Sequence, residues 1–544
     1  VTATHPPVAI VGAGPVGLSA AVALARFGVR TTVVERSTGT FEHPKARGVR
    51  VRTMELFRQW GLEDELRAHA LPPEALRFIY CDTLAGHELA RTPELEPRTF
   101  DGSPTTSCRV AQDAVHDALL RRARAEPLIE LRTGVTAGPV TQTAQQVRVA
   151  LDDGTTLTAR YLVAADGVGS RIRADLGIPM TGEPVVSWWQ SVYWHGDLDR
   201  YAAHRPCIQF VTGADTGQHV QIASVDGHRR WITLIALPPG QDRPADQTPE
   251  QALAAIRGAV GDPDLAVEIR DIATFRVSAM NADRYREGRV FLAGDAAHVL
   301  PPTGGMGMNS GIQDVHNLAW KLAFVLAGHA DAALLDSYDA ERRPVAEANL
   351  AWSLDNGKRF PAIRRALAEG DTVRSRELLD AQGGHVSALG QDLGFGYRHG
   401  ALVPEPDPAP AFVPEHYTPT ARPGHRAPAV PLRDGGSTLD LFDDAFTLLT
   451  GGHGGAWQDA AEQQAAAGAW LRTLAVGHGR LRDAAADLHA AYGISATGAV
   501  LVRPDGHVAW RATTLPEDTV GTLHSALSAL HLNAARPAAA GGRR

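Results

Sequence analysis

Val8-Ala9-Ile10-Val11-Gly12-Ala13-Gly14-Pro15-Val16-Gly17 joins four apolar residues to a glycine-dense turn and the start of an Ala/Leu/Val-rich segment. The apolar run has the length and composition of a buried parallel strand. The segment from about Val16 to Phe27 reads as a helix closed by Gly28, and Thr31 to Val34 as a second strand, so the opening is a βαβ unit. In such a unit Gly12 permits the tight turn, Gly14 lets the backbone approach a pyrophosphate, and Gly17 lets the helix lie close to the strand. The helix N-terminus adds free N–H groups and a positive dipole end. Glu35 lies eighteen residues beyond Gly17, where a carboxylate can hold a ribose 2′-OH and repel a 2′-phosphate. The pattern fits a dinucleotide but does not separate FAD from NAD.

The 544 residues allow roughly two to four domains. Hydrophobic residues make up 44% and charged residues 21%, the balance of a globular chain rather than a disordered one. A net charge of −8 supplies no basic field, so neither nucleic acid nor a membrane is expected as partner. The three lysines (Lys45, Lys321, Lys358) stand against 50 scattered arginines, which reads as codon usage. Three cysteines (Cys81, Cys108, Cys207) build neither a disulfide framework nor a multi-cysteine zinc site of the usual spacing, so no metal and a cytoplasmic setting are expected. Val8 to Ala25 is apolar, but no Lys or Arg precedes it, and Gly12, Gly14, Pro15 and Gly17 interrupt it. It reads as neither a signal peptide nor a membrane span.

Two further motifs lie downstream. Asp166-Gly167-Val168-Gly169-Ser170-Arg171-Ile172-Arg173 follows the buried strand Tyr161 to Ala165, and by itself reads as a polar turn. Gly294-Asp295-Ala296-Ala297-His298 follows the strand Arg289 to Ala293. A glycine-dense loop from Pro301 to Gly311 then leads to a helix over Ile312 to Ala327. Asp295 therefore ends a buried strand, where open α/β sheets place their ligands and where an acceptor suits a sugar-like hydroxyl. The loop allows backbone to approach a flat ring, and the helix aims its positive end at the same place, which suits a reduced flavin. Between these motifs, strands are expected at Val185–Trp194, Ile208–Val211, Val220–Ala223, Trp231–Leu237 and Val267–Phe275. Near the C-terminus a strand at Phe446–Leu449, an Ala-rich helix around Ala460–Leu474 and a hairpin about Pro504-Asp505-Gly506 are expected.

In this order and at these separations the three motifs resemble the group A flavoprotein aromatic hydroxylases, the para-hydroxybenzoate hydroxylase-like family, over residues 1 to about 385. Lys45-Ala46-Arg47-Gly48 and Arg52-Thr53-Met54-Glu55-Leu56-Phe57 resemble the larger members that act on phenols and aromatic polyketides. Arg426-Ala427-Pro428 and Leu439-Asp440-Leu441-Phe442 resemble their C-terminal segment. The resemblance implies an α/β fold: a Rossmann-like FAD-binding domain with an inserted β-sheet substrate domain, plus a C-terminal thioredoxin-like α/β domain. The expected divisions are 1–178 and 276–395 for the FAD-binding domain with its connecting helices, and 179–275 for the substrate domain. A Pro-rich linker at 396–435, with nine prolines between Pro404 and Pro431, leads to the thioredoxin-like domain at 436–533 and a disordered tail at 534–544. No cysteine lies beyond Cys207, so dithiol chemistry is excluded from the last domain and a packing or assembly role is expected.

The resemblance further implies that Gly12, Gly14, Gly17, Glu35 and Arg36 hold the ADP part of FAD. Arg47, Arg109 and Gln112 would approach its phosphate and ribityl region, and Asp295 the ribityl chain. Met308 and Asn309 would present backbone to the isoalloxazine, Pro302, Gly305 and Gly307 would also bind the cofactor, and Asp166 would serve both FAD and NAD(P)H. The implied reaction is hydroxylation of an aromatic small molecule through a flavin C4a-hydroperoxide, with NADPH or NADH as reductant and O2 as co-substrate. His298 falls inside a flavin motif and is read as structural. Trp194, His219 and Gln221 are expected to line the substrate cavity, and no catalytic base is selected. Baeyer–Villiger oxygenation of a polycyclic ketone and NAD-dependent dehydrogenation are the alternative activities, and a homo-oligomer is compatible with the reading.

Overall fold

The computed structural model describes residues 5–39, 43–93, 102–203, 206–212, 219–240, 242–386, 388–465, 470–481 and 485–533. The expected tail at 534–544 lies outside them. A six-stranded sheet runs in the order Arg286–Glu287, Val290–Leu292, Tyr161–Ala164, Val8–Val11, Thr31–Glu35, Ile129–Thr133. All its pairings are parallel except that of the short Arg286–Glu287 edge strand. Val8–Val11, Tyr161–Ala164 and Val290–Leu292 are buried along their whole lengths, as strands covered on both faces must be. The first helix, Pro15–Arg26, starts on a proline, which needs no N–H partner there. The helix Met306–Ala327, called the central helix below, lies against it. A Cβ on Gly311 would stand 2.5 Å from Val16 Cγ2 across the two helices, and one on Gly17 would stand 1.8 Å from the Gly12 carbonyl oxygen within the preceding turn.

Above this unit an eight-stranded sheet forms a roof. Its order is His298–Val299, Glu268–Ala282, Met180–His195, Arg230–Ala236, Val220–Ser224, Ile208–Val211, Phe78–Cys81, Glu88–Arg91. The edge strand His298–Val299 leaves the Asp295 turn directly, so the roof is joined to that turn by main-chain pairing with Met280 and Asn281. The roof is wider than the expected 179–275. Residues 78–91 complete one edge, because Ile208–Val211 pairs in parallel with Phe78–Cys81, and Glu268–Ala282 runs seven residues past 275.

The C-terminal unit is a four-stranded sheet in the order Leu471–Ala475, Phe446–Thr450, Ala499–Val502, Val508–Ala512, with helices at Gly455–Ala465, Ala485–Tyr492 and Thr519–Ala529. The hairpin forms with Ala499 opposite Ala512. The Ala-rich helix expected around 460–474 is corrected: it spans Gly455–Ala465, and Leu471–Ala475 is a strand parallel to Phe446–Thr450. Pairing and burial of Trp470 and Leu471 outweigh the small helix propensity of the alanines. The helix expected from Ile312 begins at Met306, so Gly307, Met308 and Asn309 lie in its first turn rather than in a loop.

The Pro-rich stretch has no long helix or strand but is not a free linker. Ala421, Ala427, Val430 and Leu432 are buried, and Arg426 forms a buried ion pair with Glu55 of the helix Val51–Gln59. Arg426 Nε donates to Glu55 Oε2 at 3.0 Å, and Arg52 Nη1 donates to the same oxygen at 2.8 Å. Burial alone raises the Glu55 carboxyl pKa, but Arg426 and Arg52 outweigh it and hold the group below its ordinary range. Arg426→Met should therefore lower stability by about 3–5 kcal/mol, because a buried carboxylate loses a partner. Thermal and denaturant melts of the full chain check this, and an unchanged midpoint counts against the strap as a structural tie.

Candidate functional site

Three loops face one another at the C-terminal ends of the parallel strands. In the first, Gly12 adopts φ +101°, and a Cβ there would meet the Ala165 carbonyl oxygen at 2.3 Å. A Cβ on Gly14 would meet nothing within 4 Å, so this position faces open space. Glu35, at the end of the second strand, accepts from the Ala13 and Ser37 N–H groups at 2.8 Å each, and Arg36 beside it is exposed. No sequence pattern marks His116, which is buried and donates from Nε2 to the Ala13 carbonyl at 3.1 Å, holding the loop.

The second group comes from the 43–50 segment and the start of the helix Gln112–Arg124. Gln112 exchanges main-chain and side-chain hydrogen bonds with Ala46, and thereby sets the position of Arg47. Arg47 Nη1 is buried without a hydrogen-bond partner. Burial and the nearby Arg109 charge lower the Arg47 pKa to about 9. Two guanidinium groups brought together in this way favour an anion between them. Asn309 closes the arrangement: its Oδ1 accepts from Arg50 N–H at 2.9 Å, and its Nδ2 donates to Gly305 and Gly48 carbonyls at 2.7 and 3.2 Å. Its side chain is thus committed to the protein, which leaves the main chain to meet a ring.

Asp295 belongs to the third loop. It is open to solvent, although the surrounding protein desolvates its carboxyl. Burial raises its pKa against the opposing pull of His298 and Lys45. Gly305 caps the central helix in the left-handed conformation with no side-chain hydrogen bond, and Cβ atoms on Gly305 and Gly307 would meet nothing within 4 Å. Pro302 is exposed and Met308 half-buried beside them. Asp166, on the neighbouring turn, accepts weakly from Ile172 N–H at 3.4 Å, and its buried Oδ1 has no partner. Arg173 joins the two turns by donating to Ala296 O at 2.9 Å. His298 is fully buried with Nε2 and Asp314 Oδ2 2.6 Å apart, a positioning contact. Among the described residues no cluster of three or more His, Cys, Asp or Glu could hold a metal ion, and no helix is long and apolar enough to cross a membrane.

The roof sheet separates the residues expected on one cavity wall. Trp194 is corrected: with Val192 it faces outward into a core under the helix Pro249–Val260, stacked on Trp231 and donating Nε1–H to Thr233 at 2.9 Å. Trp189 lies on the opposite face, edge-on to His219 at 5.2 Å. His219 and Gln221 stay together at 3.0 Å, and His219 Nδ1 lies 3.0 Å from Arg364 Nη1, from the helix Ser337–Ala368. Burial lowers the Arg364 pKa, and no carboxylate among the described residues forms an ion pair with it. His43 ties the Lys45–Gly48 segment to this face, with Nε2 2.7 Å from Ser191 Oγ and Nδ1 2.6 Å from Asp271 Oδ2.

These features fit a bound FAD: an open glycine turn, a buried arginine lacking a partner, an uncapped helix start and a cleft-lining carboxylate. Gly14→Ala should leave the melting of flavin-free protein unchanged and weaken FAD at least about tenfold (roughly 1.4 kcal/mol). Gly17→Ala should fail to fold. Flavin fluorescence titration and thermal melts distinguish these outcomes, and wild-type FAD affinity in Gly14→Ala would remove that turn from the site.

Residues 5–353 match the FAD binding domain family, and residues 420–531 the C-terminal domain of aromatic-ring hydroxylases. The chain is 37% identical to tetracenomycin A2 monooxygenase-dioxygenase of Streptomyces glaucescens, over 96% of each chain. It is 34% identical to 2,4-dichlorophenol 6-monooxygenase of Cupriavidus pinatubonensis, over 96% of this chain and 95% of the relative. Its fold is similar to that of aklavinone-11 hydroxylase in complex with FAD and aklavinone (TM-score 0.85, 35% identity, 97% of this chain and 99% of that one). The chain belongs to the FAD-dependent aromatic-ring hydroxylases, flavoprotein monooxygenases driven by a nicotinamide reductant and O2.

Proposed function

We propose that this enzyme hydroxylates a fused-ring phenol of the polyketide type, held between the inner face of the roof sheet and the helix Ser337–Ala368. The observation that carries the reading is the polar chain Arg364–His219–Gln221 set in an aromatic wall of Trp189, Phe210 and Phe360. A flat, electron-rich ring meets Trp189 beside the buried Phe210–Phe360 stack, and its phenolic oxygen meets the guanidinium, whose positive charge favours the ionised phenol. Relatives named for tetracenomycin A2 and aklavinone support the polycyclic class. The Baeyer–Villiger and dehydrogenase readings gain no support from the relatives.

In this reading Glu35 would hold the adenosine ribose, Arg47 and Arg109 the pyrophosphate, and Asp295 the ribityl hydroxyls. The first N–H groups of the central helix would hold the isoalloxazine, and Asp166 would border the cofactor from the neighbouring turn. Bound FAD supplies the activation of O2 with electrons from NAD(P)H. The roof excludes water from the reacting atoms, and Arg364 orients the phenol.

Burial, with a smaller contribution from Arg364, pushes His219 down to about 3. A histidine pKa lowered this far leaves the ring neutral from about pH 5 to 9. His219→Asn should therefore keep the shape of the wild-type pH–rate profile over that range while lowering kcat/KM roughly 10- to 100-fold at unchanged FAD content. An acid limb that disappears in the variant would contradict the neutral assignment. Product analysis with hydroxylated naphthoquinones, anthraquinones and simple phenols tests the substrate class. We expect oxygenated product with the fused rings, and turnover confined to single-ring phenols would refute the proposal.

A further inference from the structure

The central helix carries a polar stripe through the core. Ser310, Asp314, Asn317 and Lys321 recur at helical spacing on one face, and all four are buried. Burying such charges is costly unless each meets a partner. The partners come from three other parts of the chain. Asp314 Oδ1 accepts from Arg342 Nε at 2.9 Å, and its Oδ2 contacts His298 and accepts from the Gly294 N–H at 3.3 Å. Glu341 accepts from Asn317 at 2.6 Å and Lys321 at 2.8 Å. The hairpin turn of the C-terminal domain completes the set: Arg503 grips both oxygens of Glu341 at 2.8 Å and Asp505 Oδ1 at 3.0 Å, and Asp505 accepts from Asn317 at 3.3 Å. Lys321, Arg342 and Arg503 thus balance Asp314, Glu341 and Asp505.

The stripe is continuous. Tyr397 OH accepts from Asn317 at 3.4 Å and from Arg342 at 3.3 Å, so one hydroxyl bridges the C-terminal half of the network to the half that holds Gly294 and His298. One end is a turn of the C-terminal domain, and the other is the Gly294 N–H and the His298 side chain, which flank Asp295. The same helix begins at the glycine cap that borders the cleft. Packing also joins the two units, with Phe446 edge-on to Trp320 at 5.4 Å, but packing alone permits sliding and rotation that a bidentate guanidinium does not.

We propose that the C-terminal domain, through Arg503, is a positioning element for the flavin: it fixes the rotation of the central helix and the Gly294–His298 turn, and so sets both FAD affinity and the fraction of reducing equivalents that ends in hydroxylated product. Arg503 and Tyr397 are positioning residues, remote from the reacting atoms. The inference rests on FAD binding, which family membership establishes.

The test uses full-length holoenzyme and three variants. Arg503→Lys keeps the charge and loses the fork, Tyr397→Phe removes only the bridging hydroxyl, and Arg511→Gln breaks the ion pair to Glu405 in the same hairpin without touching the stripe. Measured are the FAD dissociation constant, the visible flavin absorption and dichroism bands, and product formed per NAD(P)H. Arg503→Lys should raise the FAD dissociation constant about tenfold, shift the flavin bands and at least halve the product yield. Tyr397→Phe should change all three in the same direction by less, while Arg511→Gln lowers the melting temperature and leaves them at wild-type values. Should Arg503→Lys not fold, Tyr397→Phe decides. Wild-type affinity, bands and yield in the folded stripe variants would overturn the proposal, as would equal changes in Arg511→Gln. Wild-type protein that takes up no FAD would contradict the family assignment instead.

Discussion

The packing of Val16, at the start of the first helix, onto Gly311 of the central helix and onto Gly294 is the constraint on which the site depends. A Cβ on Gly311 would stand 2.5 Å from Val16 Cγ2, so the two helix starts come together only because the central helix offers no side chain where Val16 packs. Their dipoles then act together on one side of the sheet. The strand ends bring Glu35 and Asp295 to the same edge, and Arg173 locks the Asp166 turn to the Asp295 turn. Geometry that admits a long, anionic, ring-bearing cofactor thus follows from close backbone contact.

The second organising feature is charge held inside the core. Glu55, Asp314, Glu341 and Asp505 each meet a guanidinium, and the contacts cross between sequence-distant segments. Such pairs add modestly to net stability but punish any other arrangement, since a displaced partner leaves a bare charge in a low dielectric. In this chain they fix the strap and the C-terminal turn to helices that border the cleft, which makes the last domain part of the flavin unit.

Much of this was legible in the sequence. Apolar runs ending in Gly- or Asp-containing turns located the parallel strands, because burial on both faces removes polar residues from them. The tight turn at Gly12 and the close packing at Gly17 followed from the same pattern. Leu471–Ala475 was hidden in Ala-rich surroundings whose strand state depends on pairing with Phe446–Thr450. The strand expected at Val185–Trp194 has two faces, and packing of the helix Pro249–Val260 decides which is covered, so Trp194 points away from the expected cavity. Arg364 lies on a helix 145 residues from His219, and no local pattern joins them. The stripe on the central helix shows regular spacing, yet its meaning depends on Arg503 and Glu341.

The central claim is that three loops converge on one flavin. A diffraction structure of the FAD complex tests it most directly. The account requires the pyrophosphate against Arg47 and the Gly12–Gly17 turn, the ribityl chain beside Asp295, and the ring at the start of the central helix. Density for FAD elsewhere, or an Arg47 guanidinium turned away from the phosphates, would contradict it.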